Sequence, residues 1–269
     1  MKKNTLIPLF LFCVWFLNAQ TKYPNVIIST NYGDMKVMLY DDTPKHADYF
    51  LNLVKKGYFD GTLFHRVINH FMIQGGAQDS RNAPAGVAVG GGNPSMEIMP
   101  EFRAGRYHRK GALCAPRNSD DKNPKKKSDM SQFYIVQGKV YRVGELDTIE
   151  MAVNVPIKNA LIRTHYNPHK EELAALKTSD SGRFNAKLDS ILHVVDSLYE
   201  PAPGKFFFLP QQKNDYTTVG GARNLDGEYT VYGQVVAGLD VIDKIAALAT
   251  DKRERPVKDA KILRVYLEK

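Results

Sequence analysis

Short apolar segments separated by turn-forming residues occupy the first half of the chain and its C-terminal end. The stretch NVIISTNYGDMKVMLY, residues 25–40, has two such segments on either side of Asn31 to Asp34. Apolar segments of this length that flank a glycine-containing turn predict a β-hairpin. The same pattern predicts further strands in FHRVINHFMIQGG, KGALCAP, SQFYIVQGKV, YTVYGQVVAGL and KILRVYLEK.

Helical spacing of apolar residues appears first in DDTPKHADYFLNLVKKGYFDG, residues 41–61. Aspartate and threonine precede Pro44, a residue that suits the first turn of a helix, and Gly57 marks a helix end. We therefore predict an amphipathic helix between these two residues. Its buried face is predicted to contain Ala47, Phe50, Leu51 and Val54.

The composition changes between about residues 145 and 200, where glycine becomes rare and helix formers increase. PHKEELAALK predicts a helix that starts at Pro168 with acidic residues in its first turn. RFNAKLDSILHVVDSLYE predicts another helix with one apolar face. We interpret this block as a helical segment that interrupts a β-rich domain. The apolar face is formed by Phe184, Leu188, Ile191, Leu192, Val195 and Leu198.

The N-terminus has the three-part pattern of a secretory signal peptide. Lys2 and Lys3 precede an apolar run at residues 6–17, and the small residue Ala19 follows it. We predict cleavage near Ala19 and a periplasmic location for the mature chain. An uncleaved anchor is the alternative, and lipidation of Cys13 is disfavoured because LFLF before it lacks the usual small residue. No later segment is apolar enough to span a bilayer, so no stable membrane insertion is expected after signal cleavage.

Charge and cysteine content exclude several functional classes. The net charge is +8, but the basic residues are scattered, and the densest run, at 122–127, lies in a Pro/Asn/Asp-rich loop. We therefore expect no nucleic-acid partner. Without the leader, Cys114 is the only cysteine, so no intramolecular disulfide is expected. His65, His70 and His108 match no zinc spacing, and no metal site is predicted.

Arg66 lies inside the apolar segment FHRVINHFMIQGG, residues 64–76. A guanidinium is always charged, and an unpaired ion buried in an apolar interior costs several kcal/mol. Arg66 is therefore expected to face a cleft or a charged partner. The rest of the chain indicates which.

Three blocks of the sequence resemble the cyclophilins, a family of peptidyl-prolyl cis-trans isomerases. These blocks are FHRVINHFMIQGG, MSQFYIVQG and LDGEYTVYGQV, in the order found in that family, and the similarity covers roughly residues 25–138 and 216–268. The resemblance implies a mainly β fold: a closed eight-stranded antiparallel β-barrel capped by helices, here with an inserted α-helical segment. The expected domains are a signal peptide at 1–19, a first barrel part at 20–138, a helical insertion at 139–215 and a second barrel part at 216–269.

The implied reaction is rotation about an Xaa-Pro peptide bond, whose barrier is about 18–20 kcal/mol because the nitrogen lone pair is delocalised. No bond to the substrate is made, so no nucleophile, metal or other cofactor is expected. The twisted amide nitrogen accepts a hydrogen bond that the planar amide accepts poorly, and a donor aimed there stabilises the transition state. We assign this catalytic role to Arg66. The expected partners are proline-containing segments of exported proteins.

The remaining site residues come from the resemblance, one position at a time. Gln74 matches a glutamine that binds the substrate backbone, Gln132 matches one that shapes the site, and His65 precedes the arginine as in much of the family. Even spacing would place Arg66, Met72 and Gln74 on one face of a single strand, which Phe71 can join only if the chain bends near Asn69. The wall of the proline pocket is expected to comprise Phe71, Met72, Tyr134 and Leu225.

Four positions depart from the usual residues of the family and put the sequence preference of the groove in doubt. Asn224 replaces a frequent tryptophan, and Tyr229 replaces a histidine. Pro116 and Arg117 occupy positions that often hold alanine and asparagine and that contribute to the pocket and to substrate binding. We keep Pro116, Arg117 and Tyr229 among the predicted substrate-binding residues.

Two other functions remain open at this stage. The same groove would serve a module that binds or holds proline-containing segments without useful turnover. Alternatively, the insertion would dock client proteins or act as a scaffold, with isomerisation incidental. The apolar face at residues 184–198 is expected to pack on a neighbouring helix or on the barrel, with client docking as the alternative.

Overall fold

The computed structural model describes residues 22–268, so the predicted signal peptide lies outside the described residues. Ten strands and six α-helices form in chain order within this range. The strands are β1 (Val26–Thr30), β2 (Gly33–Leu39), β3 (Phe64–Ile68), β4 (Met72–Gly75), β5 (Glu97–Ile98), β6 (Ala112–Cys114), β7 (Ser128–Asp129), β8 (Phe133–Val136), β9 (Val231–Ala237) and β10 (Ile262–Leu267). The helices are α1 (Pro44–Lys55), α2 (Val143–Tyr166), α3 (Lys170–Ser179), α4 (Ser181–Tyr199), α5 (Pro210–Thr218) and α6 (Leu239–Ala246).

Eight of the strands form one curled antiparallel sheet in the order β10-β1-β2-β9-β6-β8-β4-β3. The two edge strands, β3 and β10, are joined by an isolated bridge between Leu63 and Lys261 and by a hydrogen bond from the Phe64 amide to the Ala260 carbonyl. Continuous strand pairing therefore stops short of the closed barrel that the resemblance implies. The sheet is a half-barrel with its edges brought close together.

The sheet carries apolar side chains on both faces. Its concave face packs on α1 and α6 and forms the main core, which includes Phe50, Phe133 and Tyr232. The other face carries a second apolar cluster. Because this second face is not covered by α1 or α6, it is available for a binding site. The buried members of the second cluster are Tyr40, Met72, Ala112, Cys114, Tyr134, Val136, Ala222, Leu225 and Val231.

Helix α1 begins at Pro44, as predicted, but its cap is different. The Thr43 side chain makes no capping hydrogen bond. The carboxylate of Glu101 accepts hydrogen bonds from the Lys45 amide, at 3.3 Å, and the His46 amide, at 3.0 Å. The same carboxylate lies 2.7 Å from Nδ1 of His46. A distant acidic side chain thus satisfies the free amides of the helix and interacts favourably with its dipole.

The helical insertion starts and ends at one point of the sheet. Lys139 and Gly221 exchange two main-chain hydrogen bonds, of 3.0 and 2.9 Å. Farther along, the side-chain amide of Asn154 bonds both the amide and the carbonyl of Phe206, each at 2.8 Å. These contacts fasten the two arms of the insertion together before α3 and α4 begin.

Helix α4 has a narrower buried face than the sequence indicates. Ile191 and Val195 are buried, whereas Leu192 and Leu198 are exposed. The predicted face therefore packs on the neighbouring helices α2 and α3 mainly through Ile191 and Val195, with Phe184 and Leu188 half-buried. No helix within residues 22–268 combines the length and apolar character that a membrane span requires.

Candidate active site

Arg66 and Gln74 lie directly opposite each other on a β-hairpin formed by β3 and β4. The prediction that one strand carries Arg66, Met72 and Gln74 is wrong, because residues 69–71 form a turn in which His70 has a φ of 59°. Directly opposite residues of an antiparallel pair point to the same face. Arg66 and Gln74 therefore share a face because they pair across the hairpin, and not because they are evenly spaced along one strand.

Arg66 and Gln74 begin a row of directly paired residues that continues across the sheet. Gln74 pairs with Tyr134 on β8, and Tyr134 pairs with Cys114 on β6. Cys114 is fully buried beneath this row, and burial raises the pKa of its thiol well above the usual range. Cys114 is a free cysteine in the structure. It belongs to the buried apolar cluster on this face and has no role in the chemistry, because its thiol stays protonated.

A cavity of about 400 Å³ lies over this row on the outer face of the sheet. Nearly all of the predicted site residues line it, and His65 is the exception. The lining also includes the glycine-rich segment 90–94. The predicted residues that line the cavity are Arg66, Phe71, Met72, Gln74, Pro116, Arg117, Gln132, Tyr134, Leu225 and Tyr229.

Arg66 is held from one side by Glu254. Its Nε lies 2.6 Å from a carboxylate oxygen of Glu254, and the two side chains are 42% and 43% exposed. The carbonyl of Glu254 also accepts a 2.8 Å hydrogen bond from the Val67 amide, and this bond fixes the backbone of Glu254 beside β3. Since Nε occupies only one edge of the guanidinium, the terminal amino groups keep hydrogen-bond donors for another acceptor.

Two glutamines and an aspartate form the polar side of the cavity. Gln74 Nε2 donates to Gln132 Oε1 at 2.8 Å, and Gln132 Nε2 donates to Asp129 Oδ2 at 3.0 Å. The other oxygen of Asp129 accepts hydrogen bonds from the amide and the hydroxyl of Ser131. This chain of bonds fixes the orientation of the Gln74 amide, whose oxygen has no donor assigned to it within the described residues.

The apolar side of the cavity is anchored by a buried polar chain. The Tyr134 hydroxyl lies 2.9 Å from His108 Nε2, and His108 Nδ1 lies 2.9 Å from Asp226. Asp226 also accepts hydrogen bonds from Gln212 and Tyr216 of α5. Burial raises the pKa of Tyr134 well above its usual range, so the hydroxyl remains a neutral partner of the imidazole. The position of this wall thus depends on α5, at the C-terminal end of the predicted insertion.

Arg117 supports Tyr229 and has little freedom to bind a substrate. Its guanidinium carbon lies 4.7 Å from the centre of the Tyr229 ring. Its nitrogens donate to the carbonyl and carboxylate of Glu228 and to Asp120. These contacts hold Arg117 in the cavity wall, where it supports Tyr229. Asn224, which stands where many relatives have tryptophan, is exposed and does not line the cavity.

His65 lies behind the cavity wall. It is buried against Gly90, where a Cβ atom would overlap the imidazole ring. Burial lowers the pKa of His65, so the ring is neutral at pH 7. A glycine is required at position 90 because its φ is +86° and because the histidine fills the space. His65 therefore packs against the glycine-rich segment and does not itself line the cavity.

Residues 22–268 contain no group of three or more histidine, cysteine, aspartate or glutamate side chains placed to hold a metal ion. The sequence analysis missed Glu254, Asp129 and the contribution of residues 90–94. The run GGGNP was a local signal for the last of these, since consecutive glycines allow a backbone to approach a ligand closely. Glu254 gave no local signal, because it lies 188 residues from Arg66 in the sequence.

Comparisons with known proteins agree on one family. A family model described as "Cyclophilin type peptidyl-prolyl cis-trans isomerase/CLD" matches residues 25–153 and 205–267. A putative peptidyl-prolyl cis-trans isomerase of Staphylococcus aureus (strain USA300) is 28% identical over 90% of this chain and 91% of that protein. A putative bifunctional phosphatase/peptidyl-prolyl cis-trans isomerase of Streptococcus pyogenes serotype M6 is 28% identical over 88% of this chain, which spans 37% of that longer protein.

Among solved structures, a cyclophilin-type peptidyl-prolyl cis-trans isomerase of Cryptosporidium parvum, studied in the presence of the dipeptide Ala-Pro, is similar in fold. Its TM-score is 0.51 at 19% sequence identity, and the match covers 91% of this chain and 99% of that one. The family model leaves residues 154–204 unmatched. These residues include most of α2 and all of α3 and α4.

Proposed function

Since this chain belongs to the cyclophilin-type peptidyl-prolyl cis-trans isomerases, we propose that the cavity on the outer face of the sheet binds Xaa-Pro segments and that Arg66 catalyses rotation about the bond. The observation that carries this assignment is the placement of Arg66. It lines the cavity together with Phe71, Met72 and Leu225, with one side of its guanidinium bound to Glu254 and the terminal amino groups available.

The mechanism follows from the change in the amide during rotation. In the planar amide the nitrogen lone pair is delocalised and accepts hydrogen bonds poorly. At the twisted geometry the lone pair is localised on nitrogen, and a guanidinium N–H directed at it stabilises the transition state more than the ground state. Phe71, Met72 and Leu225 are suited to hold the proline ring, and Gln74 is suited to bind the neighbouring backbone.

The substrates are proposed to be proline-containing segments of exported proteins, with the periplasm as the place of action. The N-terminal pattern of Lys2, Lys3, the apolar run and Ala19 supports export. The neighbouring structure studied with Ala-Pro supports recognition of proline. Cell fractionation followed by N-terminal sequencing of the mature chain tests the location, and a cytoplasmic protein that retains Met1 would contradict it.

The finer architecture is proposed as a barrel that closes through β3 and β10, with parts at 20–138 and 216–269 and an insertion at 139–215. The bridge between Leu63 and Lys261 and the bond from Phe64 to Ala260 support closure. Slow hydrogen exchange of the Phe64 and Ile262 amides is expected if the edges stay joined. Exchange of both amides at the rate of an open edge would count against closure.

Arg66→Ala tests the assignment of the catalytic donor. Loss of a donor used mainly in the transition state is expected to lower kcat about 10²–10³-fold while changing substrate binding much less. The assay is isomerisation of a short Xaa-Pro peptide, with and without a chelator, and chelation is expected to have no effect. Arg264→Ala is the matched control, because Arg264 lies over Tyr266 on β10, away from the cavity. A folded Arg66→Ala protein with an unchanged rate would overturn the assignment.

A further inference from the structure

A second cavity adjoins the first and is built partly from the C-terminal arm of the insertion. Its volume is about 450 Å³, and Tyr229 lines both cavities. One wall comes from residues 102–107, between β5 and β6, and the other wall from residues 206–212. Its aromatic and aliphatic members are Phe102, Tyr107, Phe206, Phe207, Leu209 and Tyr229.

The apolar wall of this second cavity is unusually exposed. Phe207 is 59% exposed and Leu209 is 46% exposed, although Phe208 between them is buried in a separate cluster. Burial of a large apolar side chain stabilises a protein by about 1.5–3 kcal/mol, so exposed aromatic residues around a concavity indicate a surface that is buried in a complex.

The rim of the second cavity is positively charged. Arg103 donates only to the carbonyls of Asp42 and Phe102, and no carboxylate within residues 22–268 forms an ion pair with it. Arg106 is bound to Asp42 and stacks on Tyr40. The one acidic residue in the lining, Asp226, already accepts hydrogen bonds from His108, Gln212 and Tyr216. The free charge of Arg103 therefore suits a carboxylate on the occupant.

We propose that the second cavity binds an aromatic or large aliphatic side chain of the same polypeptide whose proline occupies the first cavity, and that an acidic residue next to it pairs with Arg103. Continuity through Tyr229 favours a single chain over a separate partner. Gly227, which lines the second cavity, has no heavy atom within 4 Å of the position of a Cβ, so the space beside it is open to a peptide chain. An extended chain advances about 3.3 Å per residue, and because the two cavities share Tyr229 the anchor is expected within a few residues of the proline.

This inference rests on the proposed function and adds a sequence preference to it. The test uses peptides of about twelve residues with one Ala-Pro bond and a Phe-Asp pair about three residues away, before the proline in one version and after it in another. Reference peptides carry Ser-Ser in place of Phe-Asp, and a tetrapeptide reaches only the first cavity. Exchange NMR gives KM and kcat for each peptide.

One Phe-Asp version is expected to have a KM about tenfold lower than its Ser-Ser reference, with kcat unchanged. Phe207→Ser is expected to remove this difference and to leave tetrapeptide turnover intact. Met151→Ser is the matched control, since Met151 is 61% exposed in α2 and lines neither cavity. Arg103→Glu is expected to shift the preference from Phe-Asp to Phe-Lys.

Equal KM values for all long peptides, or an advantage of Phe-Asp that survives Phe207→Ser, would overturn the second site. If the wild-type protein turned over none of the peptides, the proposed function would fail instead. The second site would then be decided by fluorescence anisotropy with the labelled Phe-Asp peptide. The same comparison of Phe207→Ser with Met151→Ser applies there.

Discussion

The backbone of Glu254, the residue that holds Arg66, adopts a left-handed conformation with a φ of 64°. This conformation costs a residue with a Cβ about 1–2 kcal/mol and costs glycine almost nothing. The chain nevertheless has a glutamate here, with its carbonyl bound to Val67 and its carboxylate bound to Arg66. Strain at such a residue points to a role of its side chain in function rather than in stability.

Glu254→Gly separates these two roles. Relief of the backbone strain offsets the loss of an exposed ion pair, worth about 0–1 kcal/mol, and the extra flexibility of the unfolded chain. We expect a melting temperature within a few degrees of wild type and a drop in kcat of about tenfold, because Arg66 loses its fixed orientation. Glu268→Ala removes an ion pair of similar length and exposure, with Lys36, and is expected to leave kcat unchanged. Full activity of Glu254→Gly would show that Arg66 needs no orienting partner.

Two buried histidines predict a loss of stability in mild acid. Burial lowers the pKa of His46 and of His65 from the usual value of 6.5, while hydrogen bonds and nearby acids only partly oppose this effect. Below about pH 6.5 the unfolded chain therefore binds protons that the folded chain does not. Stability is expected to fall by about 1.4 kcal/mol per pH unit for each histidine until the folded pKa is reached.

Urea unfolding between pH 7.5 and 5 measures this slope. His46→Asn removes one titrating group and is expected to reduce the slope of unfolding free energy against pH by about 1.4 kcal/mol per pH unit, the equivalent of one proton. His193→Asn, on the exposed face of α4, is the control and is expected to leave this slope unchanged. A slope that His46→Asn does not alter would exclude His46 as the cause.

At the scale of the elements, the sequence predicted α1, α3, α4 and the main strands because their signals are local, whereas α2 and α5 were not predicted as separate helices. Pro44 begins α1, and the glycine-containing turn at residues 31–34 joins β1 to β2. The β3–β4 hairpin was missed because its turn, around His70, has neither glycine nor proline. The cap of α1 could not be predicted either, because Glu101 reaches the helix from 55 residues away in sequence.

The site shows the same contrast between features with a local signal in the sequence and features that depend on distant contacts. Residues that line the cavity were identified through the resemblance, and the structure brings ten of the eleven together. The roles of Arg117 and His65 could not be inferred, since they depend on Glu228 and Gly90, which approach only in the folded chain.

The junction between insertion and sheet predicts a sharp steric effect. A Cβ at Gly221 would overlap the His108 carbonyl and the Tyr216 ring. Gly221→Ala is therefore expected to lower the free energy of unfolding by about 1–3 kcal/mol. Gly144→Ala is the control, because a Cβ there meets nothing within 4 Å and alanine favours the helix in which Gly144 lies. Equal stability of the two variants, measured by urea unfolding, would contradict the close packing of this junction.

At the scale of the whole molecule, the structure indicates that only part of the predicted insertion can be removed. The sequence placed the insertion at 139–215, but Leu146 and Phe208 pack with Tyr141 and Tyr216 in one cluster, and Gln212 supports the site through Asp226. The removable part is therefore narrower than the predicted insertion and lies beyond the Asn154–Phe206 contact.

Replacing residues 157–203 with a short glycine-serine linker is expected to leave a folded protein. Short-peptide turnover is expected to stay within about tenfold of wild type, because every cavity residue lies outside the deletion and shortening a loop costs little. Replacing 145–212 instead is expected to destabilise the fold, since it removes Gln212, Leu146 and Phe208. Circular dichroism and the peptide assay report both outcomes, and an inactive but folded 157–203 variant would show that α3 and α4 complete the active site.

The paired hydrogen bonds between Lys139 and Gly221 also make this point of the chain suitable for the insertion of another domain. Residues that exchange both main-chain bonds have Cα atoms about 5.5 Å apart, so the segment between them leaves and returns through one opening. Any module whose own termini lie that close can be grafted there without pulling the strands apart. Grafted beyond the Asn154–Phe206 contact, so that Gln212 and Tyr216 stay in place, a fluorescent or affinity module would turn the isomerase into a reporter of its own clients with the proline cavity undisturbed.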